Sequence, residues 1–319
     1  MPPVMVRDSA ESCPGEAADA TRNADRLENT RMNAIRVDKV SKRFGQKQAL
    51  SSVNLSISAG EMVALIGASG SGKSTLMRII AGLEHNEQGE GRVEIFGKPL
   101  QVGGRLDRNA RQMRREIGVI FQQFNLVGRL PVLTNVLTGL LGRIPSWRGT
   151  LGLFSRAEKA LAREALGRVG IPEVAWQRAS TLSGGQQQRA AIARTLVQKA
   201  KILLADEPIA SLDPSSARRV MDLIATINRT DGITAVVSLH QVEYARRYCA
   251  RTIAMRDGVV VFDGPSLALT NDFLRELYGT SSEELILPEA PASEPARDLK
   301  PTRDIAEELR ALSSAWHTA

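Results

Sequence analysis

Nine consecutive residues, Gly67-Ala68-Ser69-Gly70-Ser71-Gly72-Lys73-Ser74-Thr75, fill the pattern G-x-x-x-x-G-K-[ST]. The chemistry of that pattern is the holding of phosphate. Glycines let the loop curl until successive backbone N–H groups face one phosphate group, and a helix start adds the positive end of its dipole. Lys73 then reaches the β- and γ-phosphates of a nucleotide, and the Ser74 hydroxyl offers an oxygen to Mg²⁺. A second run, Ile202-Leu203-Leu204-Ala205-Asp206-Glu207, places two carboxylates after four apolar residues. A buried strand delivers Asp206 to its C-terminal end, where it can hold Mg²⁺ directly or through water, and Glu207 is placed to polarise an attacking water. Alone, a strand ending in solvated acids is common; beside a phosphate loop the pair reads as a metal and water site. A third run, Leu182-Ser183-Gly184-Gly185-Gln186, opens a helix with a hydroxyl, bare backbone N–H groups and a helix dipole, all suited to an anion. A plain glycine-rich helix cap is its alternative.

These groups need elements to position them. Met62–Ile66 is a short apolar run leading into the phosphate loop, and the pattern predicts a helix over 73–81, ended by Gly82. Ile35, Val37 and Val40 begin a strand-like stretch; Val53, Leu55 and Ile57 alternate with polar residues, as do Val93 and Ile95, with Gly97-Lys98-Pro99 read as a turn. Ser155 and Glu158 form a capping box ahead of the apolar face Leu161, Ala165, Leu166 and Val169, and Gly170 and Pro172 stop that helix. Residues 201–206 and 233–238 read as buried strands. Asp213-Pro214 reads as an N-cap with proline at the first helical position, and Asp257-Gly258 as a hairpin turn. Strands alternating with helices predict an α/β fold with a mostly parallel sheet, antiparallel strands added at the opening and the close, and a helical insertion over about 123–185.

Composition sets the class. The chain has 319 residues, and apolar content of 43% with 24% charged residues fits a globular protein. No apolar run approaches the roughly 18 residues of a membrane span, and the first 19 residues lack the apolar core of a secretory signal. Two cysteines, Cys13 and Cys249, make no disulfide framework and fit a reducing, intracellular setting. The net charge of +7 is uneven: residues 1–33 carry −2, 280–319 carry −4, and the body between them +13. With no aromatic interleaving and no nucleic-acid module, the basic body reads as a surface beside an anionic nucleotide and an anionic membrane face, and no nucleic-acid partner is expected. Residues 1–33 read as a disordered leader and 280–319 as a linker followed by a short helix with Ile305, Leu309, Leu312 and Trp316 on one face. That helix either binds a partner or interface or, as its shortness favours, folds back or barely forms.

Leu182 to Gln186, extended by Gln187-Gln188-Arg189, resembles the signature of the ABC ATPases, and the other runs fall in that family's order. The resemblance covers about 34–279. It implies the P-loop NTPase fold of ABC ATPases, with a parallel core, an antiparallel β subdomain and an inserted α-helical subdomain. It implies two ATP molecules and Mg²⁺ sandwiched in a head-to-tail homodimer, each signature meeting the γ-phosphate held by the opposite subunit. It further implies that Phe44 stacks on adenine, with a core phenylalanine as the alternative. Gln122 after Phe121 becomes the glutamine that touches Mg²⁺ or the attacking water, Gln123 being its competitor. Ser211-Leu212-Asp213 becomes the loop that crosses to the partner subunit, and His240 the switch histidine on the γ-phosphate. The catalytic set is thus Lys73, Glu207 and His240, and the metal set Ser74, Gln122 and Asp206. His85 and His317 match no motif and are expected at the surface. Ala68 stands where the family often has proline, and Ala210-Ser211 reverses its common order; neither changes a catalytic atom.

The stretch from Phe121 to Leu130, the stretch 133–143 with Trp147 and 151–154 after it, and Val237-Ser238-Leu239-His240-Gln241 look like the phosphonate importers. That resemblance implies an ATP-hydrolysing subunit at the cytoplasmic face of a bacterial inner membrane. Its helical insertion would dock an integral membrane permease, which is served in turn by a periplasmic solute-binding protein. Other solutes (a phosphate ester, phosphite, an amino acid) and a subunit of a soluble phosphonate-degrading complex stay open at this point. An ABC ATPase acting on DNA or the ribosome is disfavoured by the single cassette, the two cysteines and the lack of heptads.

Overall fold

The computed structural model describes residues 32–279. The leader and the tail helix expected from the sequence lie outside them, except that the first strand already begins at Asn33. Eleven strands occur among the described residues: β1 (Asn33–Phe44), β2 (Lys47–Ser58), β3 (Met62–Ile66), β4 (Arg92–Ile95), β5 (Lys98–Val102), β6 (Arg105–Leu106), β7 (Ile117–Ile120), β8 (Ile202–Ala205), β9 (Thr234–Ser238), β10 (Arg251–Arg256) and β11 (Val259–Pro265). The helices are α1 (Lys73–Ile80), α2 (Ala110–Met113), α3 (Val132–Leu137), α4 (Ser146–Thr150), α5 (Arg156–Arg168), α6 (Gly184–Val197), α7 (Pro214–Asp231), α8 (Val242–Tyr248) and α9 (Asn271–Tyr278).

The strands form two sheets. One is antiparallel, in the order β2-β1-β4-β5-β6. The other runs β11-β10-β3-β9-β8-β7 and is parallel throughout except for the β10–β11 hairpin. Every residue of β3, β8 and β9 is buried, the pattern of strands covered on both faces. Helix α1 buries Leu76, Met77, Ile79 and Ile80, and α7 buries Ala217, Val220, Met221, Ile224 and Ile227. Each of these side chains larger than alanine contributes roughly 1.5–3 kcal/mol by leaving water. Leu76→Ala, at 1% exposure, would cost about 2–5 kcal/mol, the lost transfer energy plus the cavity.

Register decides where the chemistry sits. Leu65 pairs with Ser238, Val237 with Ala205, and Ala205 with Ile120. The C-terminal ends of four neighbouring parallel strands are therefore level, and Gly67, His240, Asp206 and Gln122 all follow that one edge. In open α/β sheets this edge is where ligands bind.

One turn differs from the expectation. Phe96 and Gly97, with φ of 49° and 71°, make the β4–β5 turn, and Lys98 and Pro99 already belong to β5. Pro99 faces Glu94 at a register shift, an irregularity that spares the missing N–H a place in a regular ladder. The Asp257-Gly258 turn follows its expectation, with both residues at positive φ. Ser155 and Glu158 make both bonds of the capping box on α5, and Arg148 adds an ion pair at 2.7 Å that helps hold the Glu158 carboxyl below its ordinary range. Between β7 and β8 the described chain forms α3 to α6 and short 3-10 turns, with α6 packed on α3 and α5. Burial pushes the Cys249 thiol up to about 12, so it stays protonated and inert.

Candidate functional site

The loop between β3 and α1 has a shape that only glycine permits at two points. A Cβ on Gly67, whose φ is 147°, would stand 2.2 Å from the Met255 carbonyl oxygen. On Gly72, with φ 104°, it would stand 2.5 Å from that of Ala49. Gly70 also has positive φ, 81°, but a Cβ there would meet only the Lys47 ammonium, at an ordinary contact distance of 3.7 Å. Ala68, Ser69, Ser71 and Thr75 complete the turn into the helix. Lys73 is buried, and its ammonium donates to the Gly67 and Ala68 carbonyls at 2.7 and 3.0 Å. The cation is thus folded into the mouth of the loop that would receive phosphate.

Asp206 and Glu207 follow β8. The Ser74 hydroxyl donates to Asp206 Oδ1 at 3.0 Å, so hydroxyl and carboxylate already meet across the two elements. Both are hard oxygen donors, the kind Mg²⁺ selects while keeping waters and phosphate oxygens for its other positions. Among the described residues no group of three or more His, Cys, Asp or Glu side chains forms a protein-only metal cage. A hydroxyl and one carboxylate beside a phosphate loop fit a magnesium nucleotide and do not fit a structural metal.

Glu207 has φ 50°, left-handed backbone that residues other than glycine seldom adopt. Two groups hold it. Its N–H donates to Ser238 Oγ at 2.9 Å, and its Oε1 accepts from His240 Nε2 at 2.6 Å. His240 Nδ1 is buried without a hydrogen-bond partner. A proton there would be an orphaned donor, so the proton sits on Nε2 and is donated to Glu207. That bond chiefly, opposed by burial and helped by the charge of Lys73, holds the Glu207 carboxyl below its ordinary range. The Tyr278 hydroxyl of α9 donates to the His240 carbonyl at 3.3 Å.

Gln122 and Gln123 both line a cleft of about 510 Å³ with Ser74 and Asp206, and the geometry does not separate them. Phe44 ends β1, half-exposed, with the Lys42 ammonium 4.9 Å from its ring centroid. Its hairpin abuts the phosphate loop through Ala49, and Lys47 brings a cation within 3.7 Å of the Cβ position of Gly70. Lys47 escaped the sequence reading; a lone lysine in a hairpin carries no pattern. Ser238 escaped it too, although a serine in an otherwise apolar run two residues before the histidine was the available signal.

Residues 182–186 lead into and begin α6. Ser183 caps α6 in a reciprocal box with Gln186, at 3.3 and 3.0 Å, and is exposed while Leu182 is buried. A Cβ on Gly184 would meet Leu212 at 3.1 Å and one on Gly185 would meet Ser216 at 3.0 Å, so the helix start packs on residues 211–216. Asp213 accepts from the Ser215 and Ser216 N–H groups at 3.0 Å and from the Ser215 hydroxyl, bonds that hold its carboxyl far below the ordinary range. His85 is exposed, as expected.

The ABC transporter family model matches residues 50–210. A phosphonates import ATP-binding protein of Pseudomonas aeruginosa is 60% identical over 254 residues, 79% of this chain and 91% of that protein. One of Cupriavidus pinatubonensis is 60% identical over 255 residues, 80% of this chain and 91% of that protein. Among solved structures, a dimeric ATP-binding cassette in a post-hydrolysis state with ADP and Pi superposes with a TM-score of 0.63 at 36% identity, covering 73% of this chain and 98% of the cassette. A nucleotide-free cassette from an ABC transporter, at 24% identity, shares the fold with a TM-score of 0.65, covering 77% and 95%. Phosphate loop, acidic strand end and histidine gathered on one sheet edge agree with these matches, and this chain belongs to the ABC transporter ATP-binding proteins, in the family of the phosphonate import ATP-binding proteins.

Proposed function

We propose that this chain binds Mg-ATP in the loop of residues 67–75 and hydrolyses it to energise phosphonate uptake through a separate membrane permease. The observation that carries the hydrolysis is the Glu207–His240 contact of 2.6 Å, set beside the Ser74–Asp206 pair and the Lys73 ammonium. The relatives at 60% identity carry the solute class.

Bound Mg²⁺ would neutralise developing charge between the β- and γ-phosphates. Ser74, Asp206 and Gln122 are the residues to hold it. Glu207, anionic at neutral pH, accepts a hydrogen bond from the attacking water and aims it at the γ-phosphorus. Its lowered basicity suits orientation of water in a loose transition state better than early removal of a proton. The γ-phosphate competes with Glu207 as acceptor for His240 Nε2–H, so nucleotide arrival frees the carboxylate for water. Hydrolysis breaks the bond between the γ-phosphorus and the bridging oxygen, and ADP and phosphate leave.

A head-to-tail homodimer is supported by the dimeric state of the post-hydrolysis cassette and by the helix start at exposed Ser183, a second anion site for a partner's nucleotide. Docking of a permease is supported by four large apolar side chains, Leu141, Trp147, Leu151 and Leu153, left exposed within thirteen residues of the helical stretch. No helix among the described residues is long and apolar enough to cross a membrane. The import role of the relatives supports a place at the cytoplasmic face of the inner membrane, beside a permease fed by a periplasmic binding protein. Growth of a deletion strain on an alkylphosphonate as sole phosphorus source tests the proposal. Wild type restores growth and Lys73→Ala does not; a deletion strain that grows normally without a redundant transporter would remove the phosphonate assignment.

A further inference from the structure

β9 is buried from end to end, and Ala235, Val236 and Val237 are what a central parallel strand ordinarily contains. Ser238 breaks the apolar run at 0% exposure. A buried hydroxyl is unfavourable unless both its donor and its acceptor are used. Here both are. Ser238 Oγ donates to Asp206 Oδ1 at 3.0 Å and accepts from the Glu207 N–H at 2.9 Å. One side chain thus binds two consecutive residues that the hydrolysis reading gives to metal and to water.

Resting on that reading, we propose that Ser238 is a positioning residue for ATP hydrolysis, whose hydroxyl locks Glu207 to Asp206 and so fixes where the Glu207 carboxylate stands. The backbone of Glu207 makes such a lock necessary. At φ 50° the residue holds a conformation that persists only where its surroundings over-determine it. Ser238 grips its backbone and His240 its carboxylate. Both grips come from one stretch of chain: the Leu239 N–H donates to the Leu65 carbonyl at 3.0 Å, which keeps the backbone extended and puts residues 238 and 240 on the same side. Asp206 Oδ1 meanwhile accepts from two hydroxyls, those of Ser74 and Ser238. Ser74 belongs to the phosphate loop and is free to turn toward a metal. Ser238 is anchored in the sheet and keeps the carboxylate oriented whether or not nucleotide is present. Alanine in its place leaves the Glu207 N–H without its acceptor and removes the reason for the left-handed turn.

The test is steady-state ATP hydrolysis by the full-length chain carrying Ser238→Ala, Ser238→Thr or Thr234→Val, with melting temperatures and equilibrium binding of a fluorescent ATP analogue measured alongside. Thr234 is the control: it is a buried hydroxyl on the same strand, accepting from the Gly60 N–H at 2.9 Å, at the end away from the site. Ser238→Ala is expected to lower kcat by roughly 10–100-fold, the usual effect of removing an outer support of a metal site. KM and analogue binding should stay within about twofold, since ground-state binding is not what is lost. Ser238→Thr, which keeps the hydroxyl, recovers most of the rate, and Thr234→Val lowers the melting temperature with kcat unchanged. In a Glu207→Gln background Ser238→Ala gives little further loss, because it acts through that residue. Wild-type kcat in Ser238→Ala, an equal rate loss in Thr234→Val, or a full additional loss in the Glu207→Gln background overturns the inference while the hydrolysis reading stands. A wild type without turnover overturns the hydrolysis reading and this inference with it.

Discussion

His240 Nε2 lies 2.6 Å from Glu207 Oε1, joining the end of β9 to the end of β8 across the edge of the parallel sheet. Each is the other's polar partner, and in the proposed mechanism each is a group that hydrolysis needs free. Glu207→Gln keeps the shape and removes the charge. We expect it to bind Mg-ATP with near wild-type affinity, to accumulate as a closed dimer, and to lose roughly 10²–10⁴-fold in turnover. Turnover of the assembled transporter by phosphate release checks this, and normal turnover in that variant would remove Glu207 from its role.

The same contact sets a pH dependence. The hydrogen bond from His240 lowers the Glu207 pKa below 4.5, so ionised Glu207 favours the folded state. That contribution is complete above pH 4.5 and is lost as the pH falls through the lower folded value. Urea denaturation between pH 3 and 7 should show wild type losing stability more steeply below about pH 4.5 than Glu207→Gln. Parallel curves would contradict the pairing.

Gly70 and Gly72 separate backbone strain from collision. Both have positive φ, but only Gly72 would push a Cβ to 2.5 Å from a backbone oxygen. Gly70→Ala should cost about 1–2 kcal/mol of backbone strain, and so roughly a factor of ten in ATP affinity where that cost falls on the bound loop. Gly72→Ala must displace the β2 backbone as well and should abolish measurable binding. Titration with a fluorescent nucleotide ranks the two, and equal affinities would show the loop to be more pliant than its contacts imply.

Asp213 caps α7 and sits in the loop expected to cross to the partner. Asp213→Ala should destabilise the chain by about 1 kcal/mol through the lost cap. Asp213→Asn keeps an acceptor for the Ser215 and Ser216 N–H groups and should be nearly neutral in stability. If Asp213 also serves the dimer, Asn will lower cooperative ATP hydrolysis with melting unchanged; full activity in Asn would confine the residue to capping.

How much of this was legible beforehand follows from the kind of signal. The phosphate loop, the acidic strand end and the Ser155–Glu158 and Asp213-Pro214 caps are local patterns, and their geometry follows from residues a few positions apart. β3, β8 and β9 were legible because a strand buried on both faces reads as a continuous apolar run. Ser238 was not, since its meaning lies in residues 32 and 31 positions away, Asp206 and Glu207. The Ser183–Gln186 box was hidden behind the glycines between them, which drew the reading toward anions. The Phe96-Gly97 turn was misplaced because proline at 99 is a strong turn signal, overridden here by a register shift in β4–β5. Gln122 and Gln123 remain equivalent on the cleft wall, as adjacent residues of one type are in any pattern.

The most direct test of the central claim is uptake of a radiolabelled alkylphosphonate into proteoliposomes. These hold the permease and this chain, with ATP supplied on the side of the ATPase and binding protein on the other. Wild type should give ATP-dependent accumulation, and Lys73→Ala, which removes the cation in the mouth of the phosphate loop, should give none. Accumulation with Lys73→Ala equal to wild type, or ATP hydrolysis by wild type without accumulation, would contradict the account.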